Sequence, residues 1–326
     1  HAARARRHGG RLTTDGGIGP AGVAGGRPDR VLFVFRDGVG LGVGDPATNP
    51  LAAAATPFLR EVLAGPLTRE TPEVTRPDLV YRRLDATLGV EGLPQSATGQ
   101  TTLLTGVNGA LAMGRHYGPW PGPTLRAVLE KGSLFTKGLE LRGAVLANAY
   151  PPQYFESLGT RRHRPNAPVV AATAAGLELR DMGAYRAGLA VAADVDGARF
   201  ARMDPSLTPQ GAAGAAGSLI RLAASASFVF FDVWPTDALG HARDFTGATR
   251  LLEQVDLLLE RVAGSGITVV VTSDHGNLED VTSGRHTLNR VPLLVFGPGA
   301  PEFARARSLL DVAPAIERFW GLVTGP

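Results

Sequence analysis

From Arg30 onward the chain alternates short, wholly apolar runs with longer amphipathic stretches. The run Val31 to Phe35 has no polar member, which is the pattern of a central parallel strand covered on both faces. Thr56-Pro57 followed by FLREVLAG predicts a short helix with Thr56 as N-cap, proline in the first turn and a glycine at its end. In ATRLLEQVDLLLERVAGSG, residues Leu251, Leu252, Val255, Leu258, Leu259 and Val262 fall on one helical face before a glycine stop, and the strand ITVVVTSD follows directly. Near the end, Ser308 and Asp311 read as a capping box that opens a helix carrying Val312, Ile316 and Phe319.

Between about Gly109 and Gly217 this rhythm fails. Clusters such as GRHYGPWPGP, AYPPQYF and GTRRHRPNAP separate Ala-rich stretches, and only GAVLANAY reads as a strand. A block of different character between two α/β halves predicts an inserted cap over 109–217, with a core made of 29–108 and 218–326; the alternative is a set of long loops on one domain. GAAGAAGS at 211–218 reads as a helix near a hinge.

Composition narrows the function classes. The chain has 326 residues, enough for an enlarged domain or for a core plus a smaller unit, and its apolar share of 44% is that of a globular protein. Cysteine is absent, which excludes disulfides, thiolate metal sites and cysteine nucleophiles, so that any metal must be held by oxygen and imidazole. The formal charge is +3, but residues 1–28 carry Arg4, Arg6, Arg7, Arg11 and Arg27 against Asp15 alone, a local +4 that leaves about −1 for the rest. That balance argues against nucleic-acid binding by the body and marks 1–28 as a flexible basic tail without the apolar run of a secretory signal. No stretch approaches the roughly 18 consecutive apolar residues of a membrane helix, so the expected location is the cytoplasm and no membrane partner is expected. The oligomeric state is left open.

The chemistry lies at predicted strand ends. Asp37 follows VLFVFR, Asp237 and His241 close FVFFDVWPTDALGH, Asp274 and His275 follow ITVVVTS, and His286 precedes VPLLVFGPG. An open parallel sheet gathers the carboxyl ends of its strands at one edge, where ligands bind. D-x-x-x-H puts Asp237 and His241 on one face of a helix, or within reach of one ion even in a loop. Each segment alone also reads as a turn with a capping Asp or a satisfied histidine; together, three of only seven histidines fall in such segments. In LPQSATGQTTLLTG, Ser96 lies at the N-terminus of a predicted helix closing at Gly106, where free N–H groups and the helix dipole favour an anion such as phosphate. A plain N-cap is the bland reading of Ser96, and Thr98 competes with it as a nucleophile.

Taken together, FRDGVG, QSATGQ, TDALGHARD, TSDHGN and RHTLNRVPLLVFGPG resemble the metalloenzyme branch of the alkaline phosphatase superfamily, specifically its cofactor-independent phosphoglycerate mutases and phosphopentomutases. The similarity covers roughly residues 30–110 and 225–322. It implies an α/β fold, a mostly parallel sheet sandwiched by helices with a smaller inserted cap, and a metal-binding catalytic core. It also implies that Asp37, Ser96, Asp274 and His275 surround one divalent metal ion while Asp237, His241 and His286 surround a second. Ser96 would attack the phosphorus of a small phosphorylated metabolite and form a phosphoserine, which a phosphatase hydrolyses and a phosphomutase returns to substrate. Oxygen and imidazole ligands suit Mn²⁺ first and Zn²⁺ next. Arg36 and Gln100 depart from the residues usual in the relatives. Within the cap block, Arg115, His116, Arg161, Arg162 and Arg164 are the candidates for binding a second phosphate or a carboxylate, with His116, Arg115 and Arg162 put first; a solvated arginine-rich loop is the alternative. A sulfatase-type or phosphodiesterase-type hydrolase is the less favoured enzyme reading, since the C/S-x-P-x-R context of a sulfatase is absent where Ser96 is followed by Ala97, Thr98, Gly99 and Gln100. A non-catalytic metal-binding relative is the contrasting class.

Overall fold

The computed structural model describes residues 29–324, so the expectation of a flexible tail over 1–28 lies outside the described residues. Among the described residues nine strands are formed: β1 (Val31–Arg36), β2 (Val74–Arg76), β3 (Leu79–Leu84), β4 (Ala144–Leu146), β5 (Ala149–Tyr150), β6 (Arg180–Asp181), β7 (Phe228–Val233), β8 (Thr268–Thr272) and β9 (Val291–Phe296). Seven of them make one sheet in the order β2-β3-β9-β8-β1-β7-β4, and β5 pairs with β6 separately. The strands β8, β1, β7 and β4 are mutually parallel, whereas β9 pairs antiparallel with both β8 and β3. The connection from β8 to β9, residues 273–290, needs no crossover helix because the two strands are antiparallel.

Alternation along β1 explains its unbroken apolar sequence. Leu32 and Val34 enter one core cluster and Val31, Phe33 and Phe35 the other, one on each face of the sheet. The first face is covered by helices Gly211–Ser225 and Phe245–Ala263, the latter through the predicted stripe from Leu251 to Val262. The second is covered by helices Ser96–Thr105, Leu134–Leu141, Ala167–Ala174 and Val312–Trp320. Burying a large aliphatic or aromatic side chain gives roughly 1.5–3 kcal/mol, so these two clusters dominate the fold's stability.

Two local expectations are modified. Helix Pro57–Leu63 forms, but Thr56 makes no side-chain cap and the helix ends at Ala64 in a left-handed conformation. Its first turn is capped from a distance, by Asp256 accepting from the amides of Phe58 and Leu59 at 3.0 and 2.9 Å. The capping box of Ser308 and Asp311 forms as read, although the first turn is 3₁₀ before helix Val312–Trp320 begins.

The block 109–217 divides in two. Strand β4 is an edge of the main sheet, helices Leu134–Leu141 and Ala167–Ala174 contribute to its core, and Gly211–Ser225 lies on the opposite face. What stands apart is a satellite around β5 and β6, whose own apolar cluster comprises Ala149, Tyr185, Ala190, Ala192, Phe200 and Leu207. Ala-rich helices with short side chains pack closely on a sheet, and their sequence does not announce which domain they join. Among the described residues no helix is long and apolar enough to cross a membrane.

Candidate metal centre and adjoining cavity

The order β8-β1-β7 places three carboxyl-terminal strand ends side by side. Asp37 leaves β1, the segment holding Asp237 leaves β7, and Asp274-His275 lies two residues past β8. Because β9 runs antiparallel to β8, residues preceding it lie at that same edge, which is why His286 stands before its strand and not after it. A turn at Gly38 (φ +66°) brings Asp37 round; a side chain there would strike the Asp237 carboxylate.

Two groups of possible ligands result, Asp37, Asp274 and His275 in one and Asp237, His241 and His286 in the other. Asp237 and His241 share a face of helix Pro235–Ala242, with His241 Nε2 3.3 Å from Asp237 Oδ2. The groups adjoin: the rings of His275 and His286 stack at 3.7 Å between centroids. Ser96 is the first residue of helix Ser96–Thr105, and its Oγ lies 3.0 Å from His275 Nε2. Thr98, by contrast, is buried and donates its hydroxyl to the Gln95 carbonyl at 2.9 Å, so it is held in the helix start. Helix Ser96–Thr105 can approach because Gly99 rests on Asp274; a Cβ there would come within 2.7 Å of Asp274 Cβ.

The imidazoles are oriented by the backbone. His241 Nδ1 donates to the Gly284 carbonyl at 2.9 Å and His286 Nδ1 to the Pro94 carbonyl at 2.8 Å. That fixes the tautomer and turns each Nε2 lone pair inward. The two Nε2 atoms then face each other at 3.3 Å, an arrangement of two acceptors that a cation between them satisfies. Asp37 Oδ1 is buried without a hydrogen-bond partner, as expected of an oxygen reserved for a metal. The donor set therefore fits divalent cations.

Electrostatics point the same way. Burial and the neighbouring Asp274 carboxylate hold the Asp37 carboxyl well above the usual range, and burial raises Asp274 as well. Burial opposes the charged form of His275, but Asp274 and Asp37 outweigh it and bring that imidazole up to about 10. His286 is lowered to about 4 by burial and by the adjacent His275. Carboxylates crowded in a dry site demand positive charge.

Three neighbours support these groups: Gln100, noted in the sequence only as a departure from the relatives, and Asn277 and Glu279, which the sequence does not single out. Gln100 Nε2 spans the two carboxylates, 3.1 Å from Asp274 Oδ2 and 3.4 Å from Asp37 Oδ2. Asn277 Nδ2 donates to Asp237 Oδ1 at 2.6 Å. Buried Glu279 ties three ligand loops together: Oε2 accepts from the amides of Gly40 (2.9 Å) and Asn277 (2.8 Å), and Oε1 accepts from Asn289 Nδ2 (3.0 Å) and the Thr287 hydroxyl. The only signal for Glu279 is its position five residues after Asp274, in a loop too polar to read.

A cavity of about 390 Å³ opens beside Ser96, Asp37 and Asp237. Its lining corrects the substrate-binding expectation. Arg115 stacks on Tyr117, His116 turns its Nε2 to the Val90 carbonyl, and Arg162 is exposed; none of the three lines the cavity, nor does Arg161. Arg164 and Arg199 do, each lying over a tryptophan, Trp120 and Trp234 respectively. Arg164 was among the candidates; Arg199 was not, because the satellite's loops place it.

Residues 206–322 match the family described as the Metalloenzyme superfamily. The 2,3-bisphosphoglycerate-independent phosphoglycerate mutase of Desulforudis audaxviator is 40% identical over 101 residues, 28% of this chain and 20% of the relative. The phosphopentomutase of Rhizobium leguminosarum bv. trifolii is 35% identical over 105 residues, 31% of this chain and 25% of the relative. The matched region thus spans a fifth to a quarter of the length of these curated relatives. Among solved structures, a Pyrococcus horikoshii protein aligns with TM-score 0.53 at 13% identity, covering 91% of this chain and 98% of the other. Thermus thermophilus alkaline phosphatase aligns with TM-score 0.50 at 11% identity, covering 92% and 93%. At such identities the structural likeness concerns the fold, which is alkaline-phosphatase-like, and the resemblance carried by the motifs is borne out.

Proposed function

We propose that this chain, matched over residues 206–322 to the Metalloenzyme superfamily, is a metal-dependent phosphoryl-transfer enzyme, a phosphatase or phosphomutase acting on a small phosphate monoester. The single observation that carries the reading is a serine hydroxyl at a helix N-terminus, 3.0 Å from His275 and bordered by two oxygen and imidazole clusters. Asp37, Ser96, Asp274 and His275 would hold one cation and Asp237, His241 and His286 the other, with Mn²⁺ favoured over Zn²⁺ by a sulfur-free donor set. Bound there, the cations would lower the proton affinity of the hydroxyl and neutralise charge on the phosphoryl oxygens.

The protein's own residues do the rest. The N-terminus of helix Ser96–Thr105 orients the phosphoryl group through its dipole and free amides. Ser96 Oγ gives up its proton to solvent and forms a bond to phosphorus as the bond to the substrate alcohol breaks, and the departing alkoxide takes up a proton from solvent, so that the two protons balance. The phosphoserine then passes its phosphoryl group to water or to a hydroxyl of the bound substrate. Gln100, Asn277 and Glu279 keep the carboxylates and loops in register, so that little reorganisation is needed when charge moves. Loading the protein with Mn²⁺ and assaying phosphate release and isomerisation across a phosphomonoester panel tests the reading. Ser96→Ala should lose at least about a thousandfold in kcat, and acid quenching should trap a phosphoserine at Ser96 in the parent chain alone. Full turnover by Ser96→Ala would refute the assignment.

A further inference from the structure

The cavity beside Ser96 offers more apolar surface than a short aliphatic alcohol can cover. Beyond the ligand clusters its walls include Trp120, Tyr150, Tyr154, Phe200, Met203 and Trp234, with polar side chains between them. Arg164 and Arg199 lie over the two tryptophan rings at 5.2 and 4.9 Å, which steadies those faces. Tyr150 and Tyr154 pack against each other at 4.4 Å. A volume of about 390 Å³ falls within the range of small-molecule sites, and a three-carbon alcohol would leave most of this aromatic surface wet.

Several lining residues hold a buried polar atom without a partner, namely Asp37 Oδ1, Gln100 Oε1, Tyr154 Oη, Asp194 Oδ1 and Asp232 Oδ1, and of these Asp232 lies on the sheet floor with its backbone fixed. Asp232, on β7, lines the cavity and is only 2% exposed. Its backbone is fixed by Asn148, whose Nδ2 donates to the Asp232 carbonyl at 2.7 Å and whose Oδ1 accepts from the Asp232 amide at 2.8 Å. Its Oδ2 accepts from Asn166 Nδ2 at 2.8 Å, and its Oδ1 has no partner. Orphaned buried oxygens are costly and few, and this one belongs to a residue of the cavity lining, where a bound molecule can supply the donor.

Resting on the phosphoryl-transfer reading, we propose that the alcohol part of the substrate is a flat ring system bearing a hydrogen-bond donor. The ring lies against the Trp234 and Tyr150 side of the cavity, and its N–H or O–H is received by Asp232 Oδ1 while the phosphoryl group sits at Ser96. A site built to accept such a hydrogen bond discriminates strongly against analogues that lack the donor, because the buried oxygen is then left unpaired. Aromatic walls add stacking that an aliphatic alcohol cannot return.

Nucleoside 5′-monophosphates and ribose 5-phosphate share the same reacting primary ester and differ in the ring, so they isolate this feature. With Mn²⁺-loaded protein, kcat/KM for the preferred nucleotide should exceed that for ribose 5-phosphate at least tenfold, mainly through KM. Trp234→Ala should bring the ratio close to one, and Asp232→Asn, which turns an amide donor towards the ring, should lower it severalfold. Equal kcat/KM for ribose 5-phosphate and all four common nucleotides would overturn the inference while leaving phosphoryl transfer intact. A nucleotide preference untouched by both substitutions would overturn the placement in this cavity. Turnover of none of these esters, nor of glycerol phosphates, would remove the underlying reading and the inference with it.

Discussion

Glu279 shows how much of a candidate metal centre can rest on a residue outside both groups of possible ligands. Its carboxylate receives donors from the loops that carry Asp37, Asp274-His275 and His286, at Gly40, Asn277 and Thr287-Asn289. Glu279→Ala leaves those donors unsatisfied and the loops untied, and should weaken Mn²⁺ binding about 10–100-fold by calorimetry, the usual effect of losing an outer partner. Asp232 gives a prediction of a different kind. Burial pushes its carboxyl up to about 7, so above pH 4 the unfolded chain has released a proton that the folded chain still holds. Stability is therefore lost as pH rises from about 4 to 7, by roughly 4 kcal/mol in all if the shift is complete. In metal-stripped protein, Asp232→Asn should raise the melting temperature by several degrees at pH 8 and by clearly less at pH 5. Arg36 is the remaining anomaly at this scale: its guanidinium is fully buried without a hydrogen-bond partner, and burial lowers its pKa to about 10. Nothing in the structure explains it.

At the scale of elements, legibility followed periodicity. Strand β1 and helix Phe245–Ala263 were readable because two-sided burial and a 3.6-residue stripe leave unmistakable patterns. The candidate ligand positions stand out for a related reason, since Asp and His are conspicuous beside an apolar run. Helix Pro57–Leu63 was found by its proline, but its true cap, Asp256, lies 197 and 198 positions away from the amides it receives and leaves no local trace. Asp256→Ala should destabilise the protein by about 1–2 kcal/mol in urea denaturation, as for other helix caps, whereas Thr56→Ala should change it by less. The block 109–217 misled because short Ala-rich helices carry little directional pattern: helix Ala167–Ala174 belongs to the main core, and only the satellite around β5 and β6 stands apart. Arg199 and the tryptophans of the cavity were invisible for that reason, being brought to the site by loops whose sequence has no period.

For the whole molecule, topology does the assembling. The two candidate ligand groups, drawn from four segments, meet because β8, β1 and β7 are neighbours with parallel ends, and because the reversed β9 delivers His286 to the same edge. The chemistry is written at remote positions, and the sheet order converts it into one site. Anomalous diffraction from a crystal soaked in Mn²⁺ tests this most directly. Two peaks are predicted, one bounded by Asp37, Ser96, Asp274 and His275 and the other by Asp237, His241 and His286. Manganese bound only elsewhere, or no peak between these side chains at saturating metal, would contradict the account.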